Sequence, residues 1–137
     1  MAIKTPYLTV DGIIKIFDEK DRFRGIVLIE RKNEPLGLAL PGGFVDVGER
    51  VEDALKREMK EETSLEVEII KLLGVYSDPR RDPRFHTASC VFVCRATGEP
   101  VGMDDAKEAK IYALEEIPFE RLVFDHAEIL HDFIEGM

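Results

Sequence analysis

Three glutamates in the stretch Gly43 to Leu65, GFVDVGERVEDALKREMKEETSL, stand where a helix would turn them inward. From Arg50 to Thr63 there is no proline or glycine and good helix formers dominate, which predicts a helix. Wound at roughly 100° per residue, the segment places Val51, Ala54, Leu55 and Met59 on one side, with Glu58 and Glu62 in the middle of that side and Glu61 at its edge. Glu58 and Glu62 are one turn apart, where like charges repel unless a cation lies between them. A glutamate-rich run is ordinarily a solvated face, but Glu52, Asp53, Lys56 and Lys60 already supply that face. Carboxylates at the inner edge of a helix, preceded by Gly42 and Gly43, make an oxygen-donor site for a hard divalent cation such as Mg²⁺.

The elements that must hold these groups follow from the flanking sequence. Leu8 to Phe17 (LTVDGIIKIF) and Gly25 to Arg31 (GIVLIER) read as strands joined by the polar connection DEKDR. Leu36 to Leu40 is a short extended piece leading into Pro41, Gly42 and Gly43, where glycine permits a tight bend, close approach to a ligand and a carbonyl turned toward a cation. Phe44 to Val47 is expected to be extended, and Asp46 with Glu49 has capping-box spacing. Leu65 to Asp78 and His86 to Thr97 are β-branched and apolar, separated by the loop SDPRRDPRFH. A polar connection, a short strand from Ala109 to Leu114 and a turn around Pro118 precede a closing helix near Asp125 to Ile134. That helix has Asp125 and Glu128 at capping-box spacing and Ile129, Leu130, Phe133 and Ile134 on its apolar side. The order predicts an α/β fold over residues 1–137, one domain with a mixed sheet covered by helices on both sides.

Composition narrows the partners. A net charge of −9 over 137 residues argues against a nucleic-acid or anionic-membrane surface, both of which want clustered Lys and Arg. A polyphosphate ligand would then need a metal and a few local arginines. The opening MAIKTPYLTV has no apolar region of signal-peptide type and no run is long enough to span a membrane, so a soluble, cytoplasmic protein is expected. Cys90 and Cys94 lie on one strand-like segment, roughly 13 Å apart at 3.3 Å per residue, which predicts reduced side chains with no disulfide between them. The single Asn33 and the lack of Gln beside abundant Glu and Lys resemble thermophile composition.

Gly43, Glu49, then Arg57, Glu58, Met59, Lys60, Glu61, Glu62, Thr63, Ser64 and Leu65 stand at the spacing GX5EX7REUXEEXGU, with U aliphatic. The segment resembles the signature of the Nudix hydrolases, with Ser64 in place of the pattern's glycine. The resemblance implies an α/β/α sandwich over essentially the whole chain and hydrolysis of a nucleoside diphosphate linked to another moiety, with Mg²⁺ as cofactor and Mn²⁺ as a substitute. By position in the motif it implies Glu58, Glu61 and Glu62 as metal ligands, joined by the Gly42 carbonyl, with Gly43 against the substrate. Glu49 and Arg57 are expected to form an ion pair that orients the loop on the helix. A further acidic residue, ligand or general base, is expected from Asp104, Asp105, Glu108, Glu115 or Glu116, with Glu108 favoured. The pattern's glycine implies a left-handed helix end, so Ser64 predicts a small shift in helix termination with activity kept.

Pro79, fifteen residues after Ser64, resembles a mark of the ADP-ribose pyrophosphatase branch. Arg80, Arg81 and Arg84 in that loop are suited to bidentate phosphate contact and to stacking, and are the expected substrate contacts. His86 is expected to be a satisfied strand-end residue, and His126 and His131 helix-surface residues. The resemblance therefore implies cleavage of ADP-ribose to AMP and ribose 5-phosphate. Its rivals are an oxidised nucleoside triphosphate, a dinucleoside polyphosphate, or a non-catalytic nucleotide-sensing module. A homodimer is compatible with all of them.

Overall fold

The computed structural model describes every residue except Met1 and Asp104. Its spine is a long parallel pair, β1 (Tyr7–Phe17) against β6 (Thr87–Thr97), in register from Tyr7↔Thr87 to Phe17↔Thr97. Both strands are buried on two faces through their middle, which is why they read as near-continuous apolar runs. β2 (Phe23–Arg31), β3 (Leu38–Ala39), β4 (Gly42–Phe44), β5 (Glu68–Tyr76) and β7 (Ala106–Tyr112) complete a seven-stranded sheet among the described residues. The order is β3-β2-β1-β6-β5, with β4 also on β1 and β7 also on β2.

β1 divides its second edge between two partners. Its C-terminal half pairs with β2 from Lys15↔Ile26 onward, whereas its N-terminal half pairs with β4 through Thr9↔Phe44 and Asp11↔Gly42. The sheet is thereby parted between β1 and β2, and Leu40 and Pro41 cross the opening.

α1 (Val51–Thr63) covers one face, with Ala54, Leu55 and Met59 on Val10, Ile14, Val27, Ile29, Phe92 and Cys94. α2 (His126–Glu135) covers the other, with Ile129, Leu130 and Phe133 on Ile13, Ile26, Leu28, Val91 and Val93. Alternate residues of the same strands feed the two cores, and the result is the α/β/α sandwich with a mixed sheet that the sequence predicts. Gly12 lets α1 lie close, since a Cβ there would stand 2.5 Å from the Met59 sulfur.

Several boundaries differ from expectation. The chain is extended at Gly42–Phe44 rather than Phe44 to Val47, because β1 offers the pairing edge there. β5 starts only at Glu68, where pairing to Arg95 begins, and Leu65 is instead buried in the α1 core. β7 begins at Ala106 and joins β2 through a bulge next to Arg31. Neither helix has the expected capping box. α1 starts after an extended Arg50 with no side-chain cap, and Glu49 reaches back to the Asp46 amide to close a separate turn. α2 starts after Asp125, whose carboxylate is engaged by Arg81 rather than by its own helix. The helix does not shift its end at Ser64: that residue takes the left-handed conformation itself, φ 65°, and its amide bonds the Lys60 carbonyl.

Candidate active site

The parted sheet opens into a cavity of about 360 Å³ with one acidic and one mainly basic wall. On the α1 side stand Glu58 and Glu62. The Gly42 amide donates to Glu62 Oε1 at 2.7 Å, and a Cβ at Gly43 would overlap the Glu58 carboxylate, so any side chain there would displace that group. Arg57 organises the helix end: Nε and Nη2 grip the two oxygens of Glu49 at 2.8 and 2.9 Å, and Nη2 also donates to the Phe44 carbonyl. Its Nη1 donates to Glu58 at 2.8 Å and to Glu61 at 3.2 Å. One guanidinium thus ties the loop from Phe44 to Glu49 onto α1.

The charges respond to this packing. The Arg57 side chain holds Glu49 down at about 2, while Glu49 and its other carboxylate partners push the guanidinium up. Burial raises Glu58 against the lowering pull of Arg57. Burial also lifts Glu62 to about 8, with Glu58, Asp11 and Asp105 adding to the rise and the Gly42 amide opposing it. A buried carboxylate crowded by others in this way favours a bound cation.

On the opposite side, β1 and β6 turn Asp11 and Ser89 toward α2. Ser89 Oγ donates to Asp11 Oδ2 at 2.5 Å, and burial pushes Asp11 up to about 7. Arg81 is buried, donating from Nε and Nη2 to Asp125 and from Nη1 to Thr87. The His126 ring is also buried, its Nδ1 accepts the Leu40 amide at 2.9 Å, and desolvation drops its pKa to about 3. Arg31 and Arg84 line the cavity beside Phe124, their guanidinium carbons 5.0 and 5.4 Å from that ring. At the mouth, Phe44 meets Tyr7 and Phe85, with ring centroids 5.7 and 5.9 Å away.

The predicted residues therefore separate into groups. Glu58, Glu62, Gly42, Gly43, Arg81 and Arg84 line the cavity. Glu49, Arg57 and Glu61 lie behind it, and the Glu49–Arg57 ion pair forms as expected. Arg80 does not join the site, because its exposed side chain pairs with Asp78. Arg81 is a structural clamp whose hydrogen bonds all go to protein groups. Glu108 is turned away from Glu58 and Glu62: it faces Glu30 across β2 and β7 on the side opposite Ala109, and its carboxylate pairs with Lys110 at 2.7 Å. Asp105 lines the cavity in its stead, and Asp104 lies outside the described residues. His86 bonds the Ser77 carbonyl as expected of a strand-end residue, but His126 is an interior residue rather than a surface one. Asp11 and Arg31 were not singled out in the sequence, and His126 was read only as a surface residue. Asp11 carried a signal, as the one acid in LTVDGIIKIF.

Among the described residues no three His, Cys, Asp or Glu side chains are gathered closely enough to hold an ion, and Arg57 pairs with both Glu58 and Glu61. The donor chemistry nonetheless fits a hard divalent cation: Glu58, Glu62 and Asp105 offer carboxylate oxygens to one cavity.

The NUDIX domain model matches residues 6–133. The ADP-ribose pyrophosphatase of Methanocaldococcus jannaschii is 50% identical over 132 residues, covering 94% of this chain and 73% of that protein. A bifunctional NMN adenylyltransferase/ADP-ribose pyrophosphatase from Francisella tularensis, complexed with AMP and a manganese ion, superposes with TM-score 0.78 at 27% identity. The alignment covers 99% of this chain but only 43% of that longer one. The NUDIX domain of Shewanella oneidensis NrtR, complexed with ADP-ribose, shares the fold at TM-score 0.84 and 23% identity, over 98% of this chain and 90% of that one. Among the described residues no helix is long and apolar enough to cross a membrane.

Proposed function

The chain belongs to the NUDIX domain family, and from that premise we propose that it is a divalent-metal-dependent pyrophosphatase that cleaves ADP-ribose to AMP and ribose 5-phosphate. The observation that carries this reading is the pairing of walls in one cavity. Glu58 and Glu62 face a space that Arg31 and Arg84 also line, so cation ligands and diphosphate ligands converge.

In this reading Glu58 and Glu62, with the Gly42 carbonyl, would hold Mg²⁺ or Mn²⁺, and Glu61 would join them only by turning from Arg57 toward the cavity. A bound divalent cation would neutralise the diphosphate oxygens and ease deprotonation of an attacking water. The chain's own groups do the rest. Arg57, fixed by Glu49, aims Glu58 and prevents the loop from drifting off α1. Arg31 and Arg84 supply positive charge to the diphosphate, Arg84 braced by Asp82 through Nε and Nη2 and Arg31 by the Pro35 carbonyl through Nε. Asp105 replaces Glu108 as the additional acid, with access to the cavity that Glu108 lacks. The aromatic rim of Tyr7, Phe44 and Phe85 suits the face of a purine.

The net charge of −9 supports small nucleotides rather than nucleic acid or membrane as partners, and we place the protein in the cytoplasm. The test is the product profile with Mg²⁺ or Mn²⁺ from ADP-ribose, an oxidised deoxynucleoside triphosphate and a dinucleoside polyphosphate. AMP and ribose 5-phosphate from the fastest substrate are expected. A faster triphosphate would overturn the substrate, and tight ADP-ribose binding without cleavage would make the domain a sensor.

A further inference from the structure

We propose that the floor of the cavity is a site for a sugar hydroxyl, where one ribose oxygen accepts from His126 Nε2 and donates to Asp11 Oδ1. The inference rests on the ADP-ribose reading and adds to it the residues that recognise the sugar.

His126 fixes the chemistry of the floor. Its Nδ1 accepts the Leu40 amide, so the neutral ring carries its proton on Nε2. That Nε2–H has no hydrogen-bond partner among the described residues although the side chain is only 3% exposed. Asp11 Oδ1 stands 3.8 Å from it, beyond hydrogen-bond reach. Asp11 mirrors this condition: Ser89 occupies Oδ2, and Oδ1 has no donor among the described residues. Both residues line the cavity. Arg81 does not close the gap, since it donates to Asp125 and Thr87 and its Nη2 stands 3.9 Å from Asp11 Oδ2.

A donor and an acceptor 3.8 Å apart are bridged by one oxygen at hydrogen-bond distance, about 2.8 Å, from each. The bridging group must accept on one side and donate on the other. A hydroxyl does both. Above its raised pKa of about 7 Asp11 is a carboxylate, which an ionised phosphate oxygen with no proton to give would meet unfavourably, and an ammonium cannot accept from His126. Both atoms face the cavity, where water can pair them; a ligand that displaces that water without supplying the oxygen leaves a donor and an acceptor unpaired, so one that supplies it is selected over one that lacks it. ADP-ribose carries hydroxyls on two riboses, and the experiment separates them.

Turnover is measured for ADP-ribose and for two deoxy analogues, one lacking a hydroxyl on the terminal ribose and one on the adenosine ribose, with wild type, His126→Asn and Asp11→Asn. Asparagine at 126 keeps an acceptor near the Leu40 amide and removes the Nε2 donor, and thermal melts verify that each variant folds. In the wild type one analogue should fall at least tenfold in kcat/KM, which identifies the ribose. In His126→Asn, ADP-ribose should fall to the level of that analogue while the analogue itself changes little. Equal turnover of all three substrates by the wild type would overturn the proposal and leave an ordered water only, as would variants that slow every substrate by one factor. Should the wild type not cleave ADP-ribose, the pyrophosphatase reading fails separately. Calorimetric affinities of the three ligands then decide the hydroxyl site, and equal affinities overturn it.

Discussion

Arg81 clamps Asp125 with two hydrogen bonds, 3.0 Å from Nε and 2.7 Å from Nη2, and so fastens the loop before β6 to the residue that precedes α2. The adjacent Arg80 pairs with Asp78 in solvent, its side chain 90% exposed. Removing one partner of a buried pair leaves the other charge uncompensated, so Arg81→Ala should lower the unfolding free energy by about 3–5 kcal/mol. Arg80→Ala should leave it essentially unchanged. Urea unfolding of both variants checks this, and similar losses at the two positions would remove Arg81 from its structural role.

Glu58→Gln and Glu62→Gln should each reduce turnover of ADP-ribose by several orders of magnitude while leaving the fold intact. The loss follows from removing a cation ligand, and the intact fold from removing a buried, mutually repelling charge. Near-normal turnover in either variant would sink the metal-site assignment.

Asp105 and Glu108 are three residues apart, yet they face different spaces, the main cavity for Asp105 and the Lys110 ion pair for Glu108. Asp105→Asn should therefore depress kcat at least tenfold, whereas Glu108→Gln should leave it within a factor of two. Steady-state kinetics with ADP-ribose decide between the two acids, and the reverse ranking would restore Glu108.

The contrast shows where the sequence was readable. The acidic wall was legible because helical periodicity is local: Glu58 and Glu62 share a face with Leu55 and Met59 whatever the rest of the chain does. Glu108 was not, because a bulge between β2 and β7 decides which face each residue takes, and a slip of one residue exchanges the faces. Asp11 stood out in its strand, but its partner Ser89 arrives only through the parallel pairing of β1 with β6. His126 was detectable: it precedes Ile129, Leu130 and Phe133 by three, four and seven residues, the apolar stripe of α2. The SDPRRDPRFH arginines were ranked alike from composition, and only the fold distinguishes the clamp Arg81 from the cavity residue Arg84 and the solvated Arg80.

Ser64 holds a left-handed conformation at the end of α1, and its hydroxyl contacts the Met103 sulfur at 2.8 Å. Glycine adopts that conformation without the Cβ penalty of about 1 kcal/mol. Ser64→Gly should raise the melting temperature slightly and leave kcat unchanged, since the carboxylates precede the cap. A large gain in activity would show that the serine, not the metal site, limits the enzyme.

His126 links this interior to pH. The native ring stays neutral down to about 3, because burial penalises its charged form, whereas an unfolded histidine titrates near 6.5. Between those values the unfolded chain binds a proton that the native state refuses. Stability therefore falls as pH falls through this window and is unaffected by this residue above it. His126→Asn has no such proton, so its stability should decline less steeply from pH 6.5 toward 3, by on the order of a few kcal/mol across the window. Denaturant unfolding of both proteins at intervals of pH measures the difference. Parallel curves would mean that the ring takes up a proton in the native state, and a charged ring would then face Asp11 at the cavity floor.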